Sequence, residues 1–355
     1  MSRFLSAAAA RLAPYTPGEQ PRDTQYIKLN TNESPYPPSP EVVKAVTGGE
    51  AERLRLYSDP TCKALVDAAA DCYGLRPEQI LVGNGSDENL AFAFRALCDE
   101  NHGLAFADIT YGFYKVWASL WNVPARIVPL DEDFNLNVDD YVNLAETVVI
   151  ANPNAPTGIP VPLCDIRRLL EVDRNRVVIV DEAYVDFGGE SSLSLLESYD
   201  NLLVVQTMSK SRSLAGARLG LCFGSAELIA DLNRVKYSFN PYNVNRLSML
   251  AGKAALEDDA YFQDCTARVR ETREWTATRL RELGFQVLPS VANFLFVRRE
   301  GFPGGELYRE LKEKGILVRW FDAKRIDGFV RVTIGAPADM ETFITTLQEC
   351  LEGRP

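Results

Sequence analysis

Four stretches of this chain carry residue types that do chemistry only in particular surroundings. The first is "TMSKSRSLAGARLG", Thr207–Gly220. Lys210 sits there between two serines, directly after the apolar run "NLLVVQ", and Arg218 follows eight residues on. A lysine behind a buried strand sheds its proton more easily than a solvated one and becomes a nucleophile toward carbonyls. The second is "VDEAY", Val180–Tyr184, where Asp181 closes the apolar run "VVIV". A carboxylate in that position is unfavourable unless a cation or several donors meet it; the same residue also reads as a strand-end helix cap. The third is "VGNGSDE", Val82–Glu88, where glycines lead into a helix start able to receive an anion. Ser86 equally reads as a plain N-cap, and the stretch is neither G-x-G-x-x-G nor a Walker motif. The fourth is "NPNAPTG", Asn152–Gly158, a proline-rich turn after a strand.

Taken together these parts are more specific than any one of them. A buried lysine can bond an aldehyde, and a buried aspartate can keep a pyridine nitrogen protonated so that the ring accepts electrons. A helix start with an arginine can hold a phosphate. Pyridoxal 5'-phosphate needs all three. The rest of the inventory points away from other chemistries. The chain has 355 residues, a single histidine, His102, and seven scattered cysteines with no C-x-x-C pair. A His/Cys metal site is poorly supported, no metal is expected, and a Ser-His-Asp triad would rest on His102 alone. The cysteines read as small buried hydrophobes in a reducing, cytoplasmic compartment. A net charge of −11 argues against non-specific binding to nucleic acid or to an anionic membrane. Phe4–Ala10 holds Ser6 and stops at Arg11, at the lower limit of a signal-sequence apolar region of about 7 residues, and reads instead as a short helical arm; no window approaches the ~20 apolar residues of a membrane span.

These residues must be positioned by elements, and the apolar patterning supplies them. Residues 1–40 are rich in proline and polar residues and form an arm that packs on the body or on a partner. From 41 to 245 short apolar runs ("GLAFAD", "TVVIANP", "RVVIVDEAY", "NLLVVQT", "RLGLCFG") alternate with helical patterns such as Asp87–Leu97. Such runs suit strands of a parallel sheet covered by helices on both faces, with ligands collecting at the strands' carboxyl ends. From 246 to 355 a long charged helix over Asp258–Leu283 is followed by mixed strands and helices, a smaller α+β domain.

The chain resembles the fold-type I pyridoxal-phosphate aminotransferases, and within them the class II histidinol-phosphate aminotransferase branch. The resemblance runs over nearly the whole length, through "APYTPGEQ", "LNTNESPYPPSP", "LYSDP", "GNGSDE", "TYGFY", "NPNAPTG", "DEAYVDF", "TMSKSRSLAGARLG", "NPYNVN", "ANFLFVR" and "VRVTIG". It implies an α/β fold with a mostly parallel seven-stranded sheet between helices. It implies amino transfer between L-glutamate and imidazole-acetol phosphate, a step of histidine biosynthesis, with threonine-phosphate decarboxylation or aromatic amino-acid transamination as alternatives of the same fold. Carried over by position, Lys210 is the covalent anchor of the cofactor and the proton carrier. Asp181 meets the ring nitrogen, Tyr184 the phenolic oxygen, and Tyr111 stacks on the ring. Ser86, Asp87 (through its amide), Ser209 and Arg218 hold the cofactor phosphate. Arg331 takes the anionic end of the substrate, with Arg319, Tyr15 and Asn32 as further contacts. Tyr57 reaches the cofactor of a second subunit, which implies a homodimer. A cofactor-binding regulator with a DNA-binding module does not suit so short an arm.

The chain departs from the family pattern twice. Ala155 stands where asparagine is common, which leaves Asn154 as the candidate for the ring oxygen. Arg212 stands where a small or apolar residue is usual, and either adds charge near the site or points to solvent.

Overall fold

The computed structural model describes residues 3–21 and 26–352, so the expected arm lies outside the described residues at 1–2 and 22–25. The chain opens with a four-residue helix α1 (Ala7–Ala10) and a two-residue strand β1 (Ile27–Lys28). Helices α2 (Pro40–Thr47) and α3 (Lys63–Tyr73) lead into β2 (Ile80–Gly83), α4 (Ser86–Leu97), β3 (Leu104–Ala107), α5 (Phe113–Trp121) and β4 (Ala125–Val128). Next come β5 (Thr147–Ala151), α6 (Leu163–Val172), β6 (Val178–Asp181), β7 (Leu202–Thr207) and β8 (Gly220–Gly224). Strands β2 to β8 form one seven-stranded sheet in the order β2-β8-β7-β6-β5-β3-β4. Strand β8 runs antiparallel to both its neighbours, and the pairs from β7 to β4 are all parallel.

The reason for this arrangement lies in the side chains. Every residue of β2, β3, β5, β6 and β8 is buried, as strands covered on both faces require. Because side chains alternate along a strand, Val148, Ile150, Val178, Val180, Leu202 and Val204 enter one core. Val149, Ala151, Ile179, Leu203 and Val205 enter the other, beneath α4 and α5.

Helices α7 (Ala226–Phe239) and α8 (Arg246–Glu257) follow, and α8 buries Ala251, Ala255 and Leu256 in the first of these cores. Helix α9 (Asp259–Glu282) matches the expected long helix to within one residue at each end. Its charged composition hides a buried stripe, Cys265, Val269, Arg273, Thr276 and Leu280, at steps of three and four. Asp258 caps it by accepting from the Tyr261 amide. The remaining elements are β9 (Gln286–Val287), β10 (Phe294–Arg298), α10 (Gly304–Glu313), β11 (Ile316–Leu317), β12 (Arg319–Trp320), β13 (Val330–Thr333) and α11 (Pro337–Leu351). They make an antiparallel sheet β12-β13-β10-β9 with its own apolar core. Strand β1 pairs in parallel with β11, which ties the N-terminal segment to this sheet's side of the molecule. No helix among the described residues is long and apolar enough to cross a membrane.

Candidate active site

The carboxyl ends of the parallel strands converge on one cavity of about 540 Å³. Strand β3 delivers Asp108–Tyr111, β5 delivers Pro153, Ala155 and Pro156, β6 ends in Asp181, and β7 runs into Ser209 and Lys210. The opposite wall comes from the N-terminal segment (Tyr15, Asn30, Thr31, Asn32) and from the small sheet (Arg319, Arg331). Five cations line it, namely Lys210, Arg218, Arg319, Lys324 and Arg331, against the acids Asp87, Asp108 and Asp181. A basic pocket therefore sits in a chain of net charge −11. Neither Lys324 nor Asp108 carries a local sequence signal; they are found only by closing the fold.

Lys210 stands at the turn after β7, and its Nζ donates to the Thr31 carbonyl at 3.0 Å. Burial brings its pKa down from the ordinary lysine value to about 8. Arg331 lowers it further, while Glu33 and Asp87 oppose the shift. Asp181 is 5% exposed. Its Oδ2 accepts from the Tyr114 hydroxyl at 2.7 Å, and its Oδ1 has no hydrogen-bond partner. Burial pushes its carboxyl up to about 6, against the Tyr114 hydrogen bond, which favours the charged form.

A second corner of the cavity brings together, from two distant segments, groups that could hold an anion. Gly85 caps α4 with a positive φ of 85°, and no side chain caps the helix. Ser86 is thus the first helical residue rather than the N-cap, and the amides of the first turn stay free for an anion. Strand β8 lies so close that a Cβ on Gly220 would stand 2.3 Å from the Ser86 amide nitrogen. Arg218, itself at φ 55°, reaches across to Asp87 Oδ2 at 3.3 Å. Ser209 lines the same wall and accepts from Thr207 Oγ1 at 3.0 Å. Tyr111 donates to Asp87 Oδ1 at 2.8 Å, so Asp87 contributes its carboxylate here as well as its amide.

On the far wall Tyr184 OH accepts from Asn32 Nδ2 at 3.0 Å, and Asn32 Oδ1 accepts from Thr333 Oγ1. Tyr184 therefore keeps its own proton to donate. Arg331 and Arg319 face each other across β13 and β12. Arg331 Nη2 donates to the Asn30 carbonyl at 2.9 Å, and its buried Nε is unpartnered. Arg319 Nη2 donates to the Thr16 carbonyl, and Tyr15 stacks on Phe113 with ring centroids 4.4 Å apart.

Three expected residues behave differently. Asn154 does not line the cavity: its amide donates to the Ile109 carbonyl and to Thr157 Oγ1, both at 3.0 Å, and so fastens two loops. Ala155 takes the lining position instead. Tyr57 lies away from the cavity, 81% exposed and stacked on Tyr242. Arg212 neither points to solvent nor charges the site. It is buried, donates to the Ala255 carbonyl at 2.6 Å and lies 3.8 Å over the Phe262 ring, joining α8 to α9.

Comparison with known proteins places this geometry. Residues 24–347 match the family described as aminotransferase class I and II. The chain is 47% identical to a histidinol-phosphate aminotransferase of Clostridium acetobutylicum, over 99% of this chain and 100% of that one. It is 48% identical to another of that name from Brachyspira hyodysenteriae, over 98% and 99%. Its fold superposes with a TM-score of 0.89 and 22% identity on the histidinol-phosphate aminotransferase of Sinorhizobium meliloti, solved in complex with pyridoxal-5'-phosphate; the match covers 100% and 99% of the two chains. A pocket that offers one weakly basic lysine, one buried carboxylate and one anion corner, in a chain matched from end to end by such relatives, belongs to the class I and II aminotransferase family.

Proposed function

We propose that this enzyme is a pyridoxal-phosphate-dependent transaminase that moves an amino group between L-glutamate and imidazole-acetol phosphate, giving 2-oxoglutarate and L-histidinol phosphate. The observation that carries the reading is the convergence of Lys210, Asp181 and the Ser86–Arg218 corner on one cavity, in a chain with full-length relatives of that name. The residues fit the cofactor. Asp181 Oδ1 is a buried carboxylate oxygen without a partner, which suits a protonated ring nitrogen. The glycine-lined helix start and Arg218 suit a phosphate.

When bound, pyridoxal phosphate supplies an electron sink for the pair left at the substrate's Cα. Lys210 Nζ takes the proton from Cα and carries it onward, which its lowered basicity permits near neutral pH. Asp181 holds the ring-nitrogen charge, Tyr184 donates its free proton to the ring's phenolic oxygen, and Tyr111 offers its face. Ser86 and Asp87 amides, Ser209 and Arg218 hold the phosphate. Arg331, with Arg319, Asn32 and Tyr15 around it, orients the substrate's anionic end; a forked donor suits both a carboxylate and a phosphate, so one site serves two substrates in turn. Asn154 is left out of this set because its amide is engaged elsewhere.

The active unit is a homodimer in which Tyr57 serves the neighbouring subunit; the exposure of this large aromatic side chain, 81%, supports this. The organisation is an arm over 1–40, a cofactor-binding domain over 41–245 and a small domain over 246–355, with α8 as the connector packed on the former. Of the seven cysteines only Cys72 and Cys164 are exposed, and the other five are buried as small apolar side chains, which suits a cytoplasmic enzyme. The decarboxylase and aromatic-transaminase readings are not favoured by the full-length relatives. The test is to supply histidinol phosphate and 2-oxoglutarate to the purified holoenzyme and follow glutamate. Glutamate formation is expected; its absence, with carbon dioxide released from threonine phosphate instead, hands the chain to the decarboxylases.

A further inference from the structure

Tyr114 is absent from the expected site, yet it makes the one side-chain hydrogen bond to Asp181 among the described residues. It lies on α5, fully buried, 67 positions from Asp181 in the chain. Its ring packs against Phe94, Phe106 and Tyr111, with centroids 6.0, 5.6 and 5.6 Å away. A phenylalanine would fill this aromatic nest equally well, so the hydroxyl needs another reason. A buried phenol is unfavourable unless bonded, and Asp181 Oδ2 is its acceptor.

The bond has two consequences. It fixes which carboxylate oxygen is used up, leaving Oδ1 as the unpartnered oxygen of a residue that lines the cavity. It also stabilises the charged carboxylate against its burial and against Asp87, whose negative charge opposes it. Tyr111 and Tyr114, three positions apart, bond Asp87 and Asp181 respectively, so one stretch of chain manages both acids. The other charged or titratable groups of this cavity are Tyr15, Asp108, Tyr184, Lys210, Arg218, Arg319, Lys324 and Arg331, and none of them is bonded to Asp181.

We propose that Tyr114 is a positioning residue of the transamination: its hydroxyl locks one oxygen of Asp181 so that the other stays free and charged for the cofactor's ring nitrogen. The inference rests on Asp181 meeting that nitrogen, as proposed above.

The experiment is Tyr114→Phe in the holoenzyme loaded with ring-nitrogen-labelled pyridoxal phosphate. We expect the labelled nitrogen's NMR signal to shift toward the unprotonated position and cofactor dissociation to rise about tenfold. Turnover should fall about tenfold with KM for glutamate changed less than about twofold, the scale of one hydrogen bond to a charged group. A variant that loses thermal stability but keeps the nitrogen signal and kcat of the parent would overturn the proposal. Asp181→Asn separates this from the reading it rests on. If Asp181→Asn alone leaves cofactor binding and turnover intact, the role of Asp181 fails and this inference with it. If Asp181→Asn is severe, Tyr114→Phe should add little to it; an equal loss in both backgrounds refutes the coupling. Should Tyr114→Phe not fold, 3,5-difluorotyrosine at 114 keeps the shape and strengthens the donor. The nitrogen signal must then move, and an unmoved signal overturns the proposal.

Discussion

Asp181 and Glu182 are adjacent and both buried, but they serve different neighbours. Glu182 accepts from Ser191 Oγ and the Ser192 amide at 2.6 Å and from Gln206 Nε2 at 2.9 Å, away from the cavity. Burial outweighs these donors and pushes its carboxyl from 4.5 up to about 7. The folded state therefore keeps this proton to higher pH than the unfolded chain does. Between about 4.5 and 7 folding takes up a proton, so stability contributed by this group falls as pH rises through that window. Glu182→Gln should flatten the fall, measured by urea unfolding at pH 5 and pH 7.5; an unchanged slope would remove Glu182 as its source. Arg212 gives a second residue-scale prediction. Arg212→Ala should cost about 2–4 kcal/mol of stability, since it strips the Ala255 carbonyl of its donor and Phe262 of its cation. Turnover per folded enzyme should change less than about twofold; a selective loss of kcat would restore Arg212 to the active site. At this scale the sequence was legible where a polar residue interrupts an apolar run, as at Asp181 and Lys210. It was silent on Tyr114, and it marked Arg212 as unusual without finding its partners, because a side chain's acceptor across a fold leaves no local pattern.

At the scale of elements, the apolar runs announced the buried strands and the helices between them, and the long α9 was readable almost to its ends. Strand direction was not: a run of valines looks the same either way along. Yet the reversed strand β8 builds the corner proposed to hold the phosphate, by bringing Gly220 against the start of α4 and placing Arg218 beside Asp87. Gly220→Ala must push backbone against backbone there, with no flexible side chain to yield. Titration of the cofactor-free protein should show pyridoxal-phosphate affinity reduced at least tenfold, a loss of about 1.4 kcal/mol or more. Affinity within about twofold of the parent would mean that the corner does not hold the phosphate.

The whole molecule leaves several large apolar side chains uncovered, none of them lining the cavity. Leu54, Leu56, Tyr57 and Phe239 are all about half exposed or more. The homodimer proposed above would cover such side chains with a second copy of the chain, and composition alone did not reveal them. If Tyr57 acts across the interface, mixing inactive Lys210→Ala and Tyr57→Ala enzymes should regenerate one intact site in each hybrid. Random exchange then restores about a quarter of parental activity. No recovery, in a mixture shown to have exchanged subunits, would confine Tyr57 to its own chain.

The N-terminal segment meets the site in two chemically different ways. Lys210 bonds the carbonyl of Thr31 and Arg331 that of Asn30, whereas Tyr184 bonds the side chain of Asn32. Every residue type carries a carbonyl, so natural variation at 30 and 31 can proceed without the site noticing those two contacts. Position 32 has no such freedom: it needs an amide, and it sits at φ 55°, where asparagine is among the few tolerated side chains. Among diverging descendants of this chain, 30 and 31 should drift together with their surroundings while 32 stands still.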